Sequence, residues 1–255
     1  MRKTLLLVAV IGVGATFAVA EVAETCSIRA GRTEGKMSVG WEHGDCMEGT
    51  HCHQGDSDML WSKWTGITPQ DLEREGATID ARMKAEAGEM RCAGTVHDAA
   101  LRGTFSFPPD PAFAKRMEAM GFDDQTPDRL QGYAMLEITT AWVKEMKDAG
   151  VTEMNSHNLM GLKALKVDPT YVKAMAAAGY PELRAQKLTS MKAVGVTPEK
   201  VQAIKAMGYS PTQEQLIQMS VFKIDAPFVE RVKARGFQNP TFAQLIKIKI
   251  FKLDE

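Results

Sequence analysis

The stretch Asp168-Pro169-Thr170-Tyr171-Val172-Lys173-Ala174-Met175-Ala176-Ala177-Ala178-Gly179-Tyr180 reads as one complete capped helix. Asp168 is an N-cap, its carboxylate accepting a backbone N–H that would otherwise lack a partner. Pro169 stands at the first helical position, where its missing N–H costs nothing. Val172, Met175 and Ala178 follow at spacings that share one helical face. Gly179 is placed where a left-handed residue ends a helix, and Tyr180 can fold back on the last turn.

The same pattern recurs on both sides. A glycine followed by a hydrophobic residue appears as Gly121-Phe122, Gly150-Val151, Gly179-Tyr180, Gly208-Tyr209 and Gly236-Phe237, in steps of 29, 29, 29 and 28. The caps Asp110, Thr139, Asp168, Thr197 and Asp225 keep the same steps. A leucine recurs at Leu130, Leu159, Leu188, Leu216 and Leu245 and marks a second helix in each unit. Five units fit, the fourth being one residue short between Gly208 and Leu216. Each unit is a helix pair too small to bury its own apolar face, so neighbours must stack to make a core. Residues 246–250, Ile-Lys-Ile-Lys-Ile, alternate like a strand, but the repeat register puts them in the second helix of the last unit.

The expected fold class is therefore α+β: a small antiparallel β-rich N-terminal domain, residues 21–109, followed by an α-helical repeat array, an α-solenoid of about five helix pairs, over 110–255. Residues 1–20 read as a signal peptide. Arg2 and Lys3 precede an apolar run from Leu5 to Val13, and Ala18-Val19-Ala20 is an A-x-A cleavage site. The apolar core is shorter than the roughly 20 residues of a membrane span. The placement is periplasmic or secreted.

Within 21–109 three strands are legible. Ile79, Ala81, Met83 and Ala85 alternate with polar residues; so do Met90, Cys92, Gly94 and Val96, then Leu101, Gly103, Phe105 and Phe107. Thr68-Pro69 opens a short capped helix that Gly76 closes. Residues 21–58 show little periodicity beyond a short strand at Met37–Trp41. Net charge is −6 over 21–109 and +3 over 110–255, which sets the boundary near 109. A whole-chain charge of −1 argues against bulk nucleic-acid binding.

All four cysteines, Cys26, Cys46, Cys52 and Cys92, lie in the acidic part. An even count in an exported chain points to two disulfides, with three connectivities open. His43, Cys46, His51, Cys52 and His53 form a dense polar cluster whose ligand types suit zinc or copper. Their spacing matches no strong metal template, and disulfide plus surface histidines is the plainer reading. The recurrent methionines, such as Met117, Met146, Met175 and Met219, sit at helical core positions and read as adaptable packing.

Phe113, Trp142, Tyr171 and Phe228 share the slot three residues after the cap, which Lys200 breaks. They pack between units or line an exposed ladder. Trp142, Tyr171 and Phe228, with Arg231, Lys247 and Lys249 of the basic last unit, are the candidate binding surface. That basic unit could also touch anionic lipid or an acidic partner.

The pattern D/T-P-x-aromatic-V-x-x-M/I-x-x-x-G-Y/F, taken from Asp168–Leu188 and Thr197–Leu216, resembles helical repeats C-terminal to the peptidase in beta-lactam-sensor-type metallopeptidases. It also resembles repeats in stand-alone exported bacterial proteins of unknown role. Gly94–Gly121 is similar to the strand-to-array junction of those proteins. The resemblance covers roughly residues 60–255 and implies an accessory or sensing module of the bacterial envelope. The H-E-x-x-H of the sensors is absent, so no peptidase role carries over.

No P-loop, G-x-S-x-G or G-x-G-x-x-G is present. The expectation is a non-enzymatic scaffold without a cofactor that binds an unknown protein or peptide of the cell envelope. The alternatives are a metal-binding or metal-sensing protein using residues 43–53, and an enzyme with its site in the N-terminal domain.

Overall fold

A computed structural model describes residues 24–45 and 50–253, with side chains excluded over 43–54. Among these residues the protein is α+β, with a six-stranded antiparallel sheet and ten α-helices of nine residues each. Residues 1–20, expected to be a signal peptide, lie outside the described residues.

The sheet comprises β1 (Thr25–Ala30), β2 (Lys36–Asp45), β3 (Thr50–Leu60), β4 (Thr78–Ala85), β5 (Gly88–His97) and β6 (Ala100–Ser106). Its order is β3-β2-β1-β6-β5-β4. The sequence shows β4, β5 and β6 within a few residues, but β1 and β3 escape it and β2 is twice as long as expected. Hairpins join β1 to β3 and β4 to β6, and β6 closes against β1, with Cys26 opposite Gly103. One face is apolar, carrying Ile28, Met37, Val39, Ile79, Met83 and Leu101.

Cys26 on β1 and Cys92 on β5 form a disulfide across the intervening β6, with Cα atoms 5.9 Å apart. Strands two apart in a flat sheet lie about 9.6 Å from each other, so the sheet must curl sharply here. Gly94 and Gly103 face each other at the bend. A Cβ on either would sit 2.0 Å from the carbonyl oxygen of the facing strand, so only glycine admits this approach. Of the three connectivities left open, the structure contains the Cys26–Cys92 bridge; Cys46 lies outside the described residues, as does the side chain of Cys52.

Thr68 and Asp71 form a capping box around the 3₁₀ helix Pro69–Glu73, so the capped turn exists but is tighter than an α-helix.

The helices alternate between two roles. The first helices of the five units are α1 (Pro111–Ala119), α3 (Thr140–Asp148), α5 (Pro169–Ala177), α7 (Pro198–Ala206) and α9 (Ala226–Ala234). The second helices are α2 (Pro127–Met135), α4 (Ser156–Ala164), α6 (Ala185–Ala193), α8 (Gln213–Val221) and α10 (Phe242–Ile250). Every first helix has its expected N-cap, with the side chain of Asp110, Thr139, Asp168, Thr197 or Asp225 accepting an N–H of the first turn. Each such cap stabilises by about 1 kcal/mol.

The glycines end these helices at φ between 86° and 97°. Around Gly121, Phe122 N–H donates to the Met117 carbonyl and Gly121 N–H to that of Glu118, the paired bonds of a Schellman turn. The second helices end the same way, yet four of the five left-handed residues are Glu137, Lys166, Lys223 and Lys252 rather than glycine. A hydrophobic residue follows each and is buried in Ile138, Val167, Val196 and Ile224. Residues 246–250 are helical, as the register requires.

First helices touch in series, α1 to α3 to α5 to α7; α4, α6 and α8 do likewise. One apolar core runs from Ala87, in the β4–β5 turn, through the units to Val201 and Leu216. A separate cluster holds Ile204, Met219, Ile224, Phe228 and the last unit. The sheet also caps the array. Glu86 accepts from Thr140 N–H at 3.0 Å, from its hydroxyl at 2.7 Å and from Arg116 at 3.2 Å, so a sheet turn supplies the start of α3 with a carboxylate. Helix α2 lies on β4 and β5, and Lys63 pairs with Glu137 at 2.9 Å.

Two substitutions test these devices. Glu86→Ala should destabilise the protein by about 2 kcal/mol, because a charged acceptor and its donors are separated; urea denaturation reads the loss. Gly208 has φ 90° and open space around its Cα. Gly208→Ala should therefore lose about 1 kcal/mol for backbone reasons alone, and an unchanged urea midpoint would contradict the left-handed assignment.

Candidate functional site

The candidate surface residues are placed by two recurring cation–aromatic contacts. Trp142, Tyr171 and Phe228 lie on the first helices and are buried, so they pack between helices rather than forming an exposed ladder. Each is covered by a lysine from the second helix of its own unit. Lys163 lies 4.7 Å from the Trp142 ring centre, Lys192 4.2 Å from Tyr171, and Lys249 4.6 Å from Phe228. Arg231 approaches the Phe228 ring as well, at 5.8 Å. Two of the three basic residues expected on the surface thus lie against a ring of their own unit, while Lys247 is exposed. Each contact is worth about 0.5–1 kcal/mol at a partly exposed position.

Burial moves these groups in the directions physics requires. It lowers the pKa of Lys163 from the usual lysine value, because the ammonium is partly withdrawn from water. It raises the Tyr171 phenol to about 12. The Tyr171 hydroxyl donates to the Val196 carbonyl at 3.0 Å, tying the ring to the end of α6.

A second series ties neighbouring units. Lys147 covers the ring of Phe122 at 4.7 Å and donates to the Met120 carbonyl at 2.6 Å. Lys205 treats Tyr180 and the Ala178 carbonyl in the same way, at 4.8 and 2.6 Å. Lys233 lies 5.9 Å from the Tyr209 ring. Each lysine comes from the first helix of the following unit, and Lys147 and Lys205 neutralise the negative end of the preceding one. Between the second and third units the pair is Val151 and Ala176, and a short parallel pairing of Val151-Thr152 with Leu183-Arg184 takes its place.

The fourth unit departs from the first series. Lys200 stands where the ring should be and Ser220 where the covering lysine should be. Lys200 is exposed, and its ammonium turns back to the Gly195 carbonyl at 2.8 Å. The space a ring would take is an open cavity of about 420 Å³. Val196, Val201, Ile204, Leu216, Met219 and Ile224 line it. Three of these belong to the long core and three to the terminal cluster. The break in the core falls in the unit that lacks the ring.

The sheet carries a second cavity, about 540 Å³ and polar, between Ser27, Arg29, Gly40, Glu42, Asp56 and Arg102. Asp56 accepts from Arg29 at 3.0 Å and Ser38 at 2.9 Å, which uses its carboxylate internally. On another part of the sheet Arg91 and Arg82 hold Asp80 well below the usual carboxylate range. Among the described residues no three His, Cys, Asp or Glu side chains converge as a metal ion needs. The side chains of His43, Cys46, His51, Cys52 and His53 lie outside the described residues. His97 pairs with Glu75 at 2.8 Å in the open, away from both cavities.

The chain matches no protein-family model, no curated protein and no solved structure.

The Tyr171 shift has a stability consequence with a definite sign. Its folded pKa is raised, so its contribution is complete below pH 10 and is lost as pH rises from about 10 toward 12. Unfolding free energy should fall by about 1 kcal/mol between pH 9 and 11 on this account. Tyr171→Phe should remove that part of the fall in urea melts at the two pH values.

Proposed function

We propose that the chain is a non-enzymatic exported scaffold whose helical units stack as an α-solenoid and bind a protein or peptide of the cell envelope. The observation that carries this reading is the serial contact of same-role helices, held in register by Lys147 and Lys205 on the preceding units. A stack of pairs tied in this way offers an extended rigid surface whose presentation costs little conformational entropy on binding.

Export is supported by the leader-like residues 1–20 and by a Cys26–Cys92 bridge, which belongs to an oxidising compartment. Among the described residues no helix is long and apolar enough to cross a membrane. The envelope-sensing role follows from the repeat resemblance. A contact of the last unit with anionic lipid is the weaker reading, because Arg231 and Lys249 already lie against Phe228.

The test is site-specific photo-crosslinking of the full chain in an envelope fraction. Probes replace exposed array residues such as Lys173 and Gln202, with Lys84 on the sheet as the control. The expected result is one defined adduct from array positions. Adducts from Lys84 only, or none from the array, contradict the scaffold reading.

A further inference from the structure

The cavity of the fourth unit has a shape set by the rest of the array. In the third unit Tyr171 lies between α5 and α6 and its hydroxyl reaches Val196, at the end of α6. In the fourth unit the positions equivalent to Val172, Met175, Leu188, Met191 and Val196 are Val201, Ile204, Leu216, Met219 and Ile224, and all five line the cavity. The chain has therefore built the walls of an aromatic slot and left out the ring. The lysine that covers the ring in other units is left out with it, since Ser220 takes its place on the lining.

The rim has its own chemistry. Lys200 and Lys223 both line the cavity, the Lys200 ammonium resting on the Gly195 carbonyl at 2.8 Å. Lys223 is held in a left-handed conformation, φ 53°, at the end of α8. The one carboxylate on the lining, Asp225, caps α9 by accepting from Phe228 N–H at 2.9 Å. The walls call for an apolar ring and the two ammonium groups for a negative charge beside it.

We infer that this slot binds an aromatic side chain of the partner polypeptide, with a carboxylate next to it in sequence meeting Lys200 and Lys223. The inference rests on the scaffold reading and supplies its specificity: the partner completes a series that the array completes for itself elsewhere. The inserted ring joins the two apolar clusters that the gap separates, so binding also stiffens the last two units against the rest.

The test uses the full chain with methyl-labelled Ile, Leu and Met and two small probes, N-acetyl-aspartyl-tryptophan amide and its asparaginyl counterpart. The expected result is saturable shifts of the Ile204, Leu216, Met219 and Ile224 methyls, stronger with the acidic probe. Lys200→Tyr fills the slot from within. It should raise the melting temperature and weaken both probes at least tenfold. The double reversal Lys200→Glu with Lys223→Glu should weaken the acidic probe several-fold and spare the neutral one, and it keeps the test alive should the tyrosine variant fold poorly.

Absence of saturable shifts, or shifts that persist in a folded Lys200→Tyr protein, overturns the slot. Equal affinity for both probes overturns the carboxylate. A crosslinked partner retained unchanged by Lys200→Tyr overturns the slot while leaving the scaffold standing. Probe binding without any array adduct does the reverse.

Discussion

A nine-residue α-helix does not hold itself together in water. Nucleation is unfavourable and so few turns recover too little. Each of the ten helices here is that short, so their stability is decided at their ends and by their neighbours. The ends are settled locally, by an Asp, Asn or Thr cap in nine of them and a left-handed residue after each. The neighbours are settled by Leu159, Leu188 and their equivalents, which no single pair could bury.

The two cation–aromatic series act on that second requirement. A lysine over Tyr171 shields a ring that a two-helix layer cannot fully enclose. A lysine on the preceding carbonyl, as Lys205 on Ala178, satisfies an acceptor that the short helix leaves open. Neither contact is strong alone. Repetition fixes the spacing between pairs, and the ring-and-lysine series within units shows where a member is missing.

Much of this was legible in the chain because the first helices announce both of their ends, with Asp168-Pro169 at one and Gly179 at the other. The second helices announce less. Lys166 and Lys223 adopt a conformation for which glycine is the usual sign, so their stops show only as a hydrophobic residue before the next cap. Strand β3 is hard to read because Gly55 and the polar residues around it give no alternation, whereas β1 does alternate, Cys26 and Ile28 against Thr25, Ser27 and Arg29, but over six residues only. The pairing of β1 with β6 joins segments far apart in the chain, which is a tertiary fact. The slot was visible as the irregular Lys200. That Trp142 pairs with Lys163, and Tyr171 with Lys192, could have been found by noting that ring and lysine keep a constant separation along the chain and disappear together in the fourth unit. Of the two uses open to those rings, packing and an exposed ladder, their burial leaves packing.

The division of the apolar interior at the fourth unit bears on how the molecule moves. Val201 and Leu216 belong to one packed body; Ile204, Met219 and Phe228 belong to another, with little apolar material shared across the seam. Cooperativity travels through such shared packing. The last unit is thus packed with a body of its own, so local opening there need not disturb the sheet and the first three pairs.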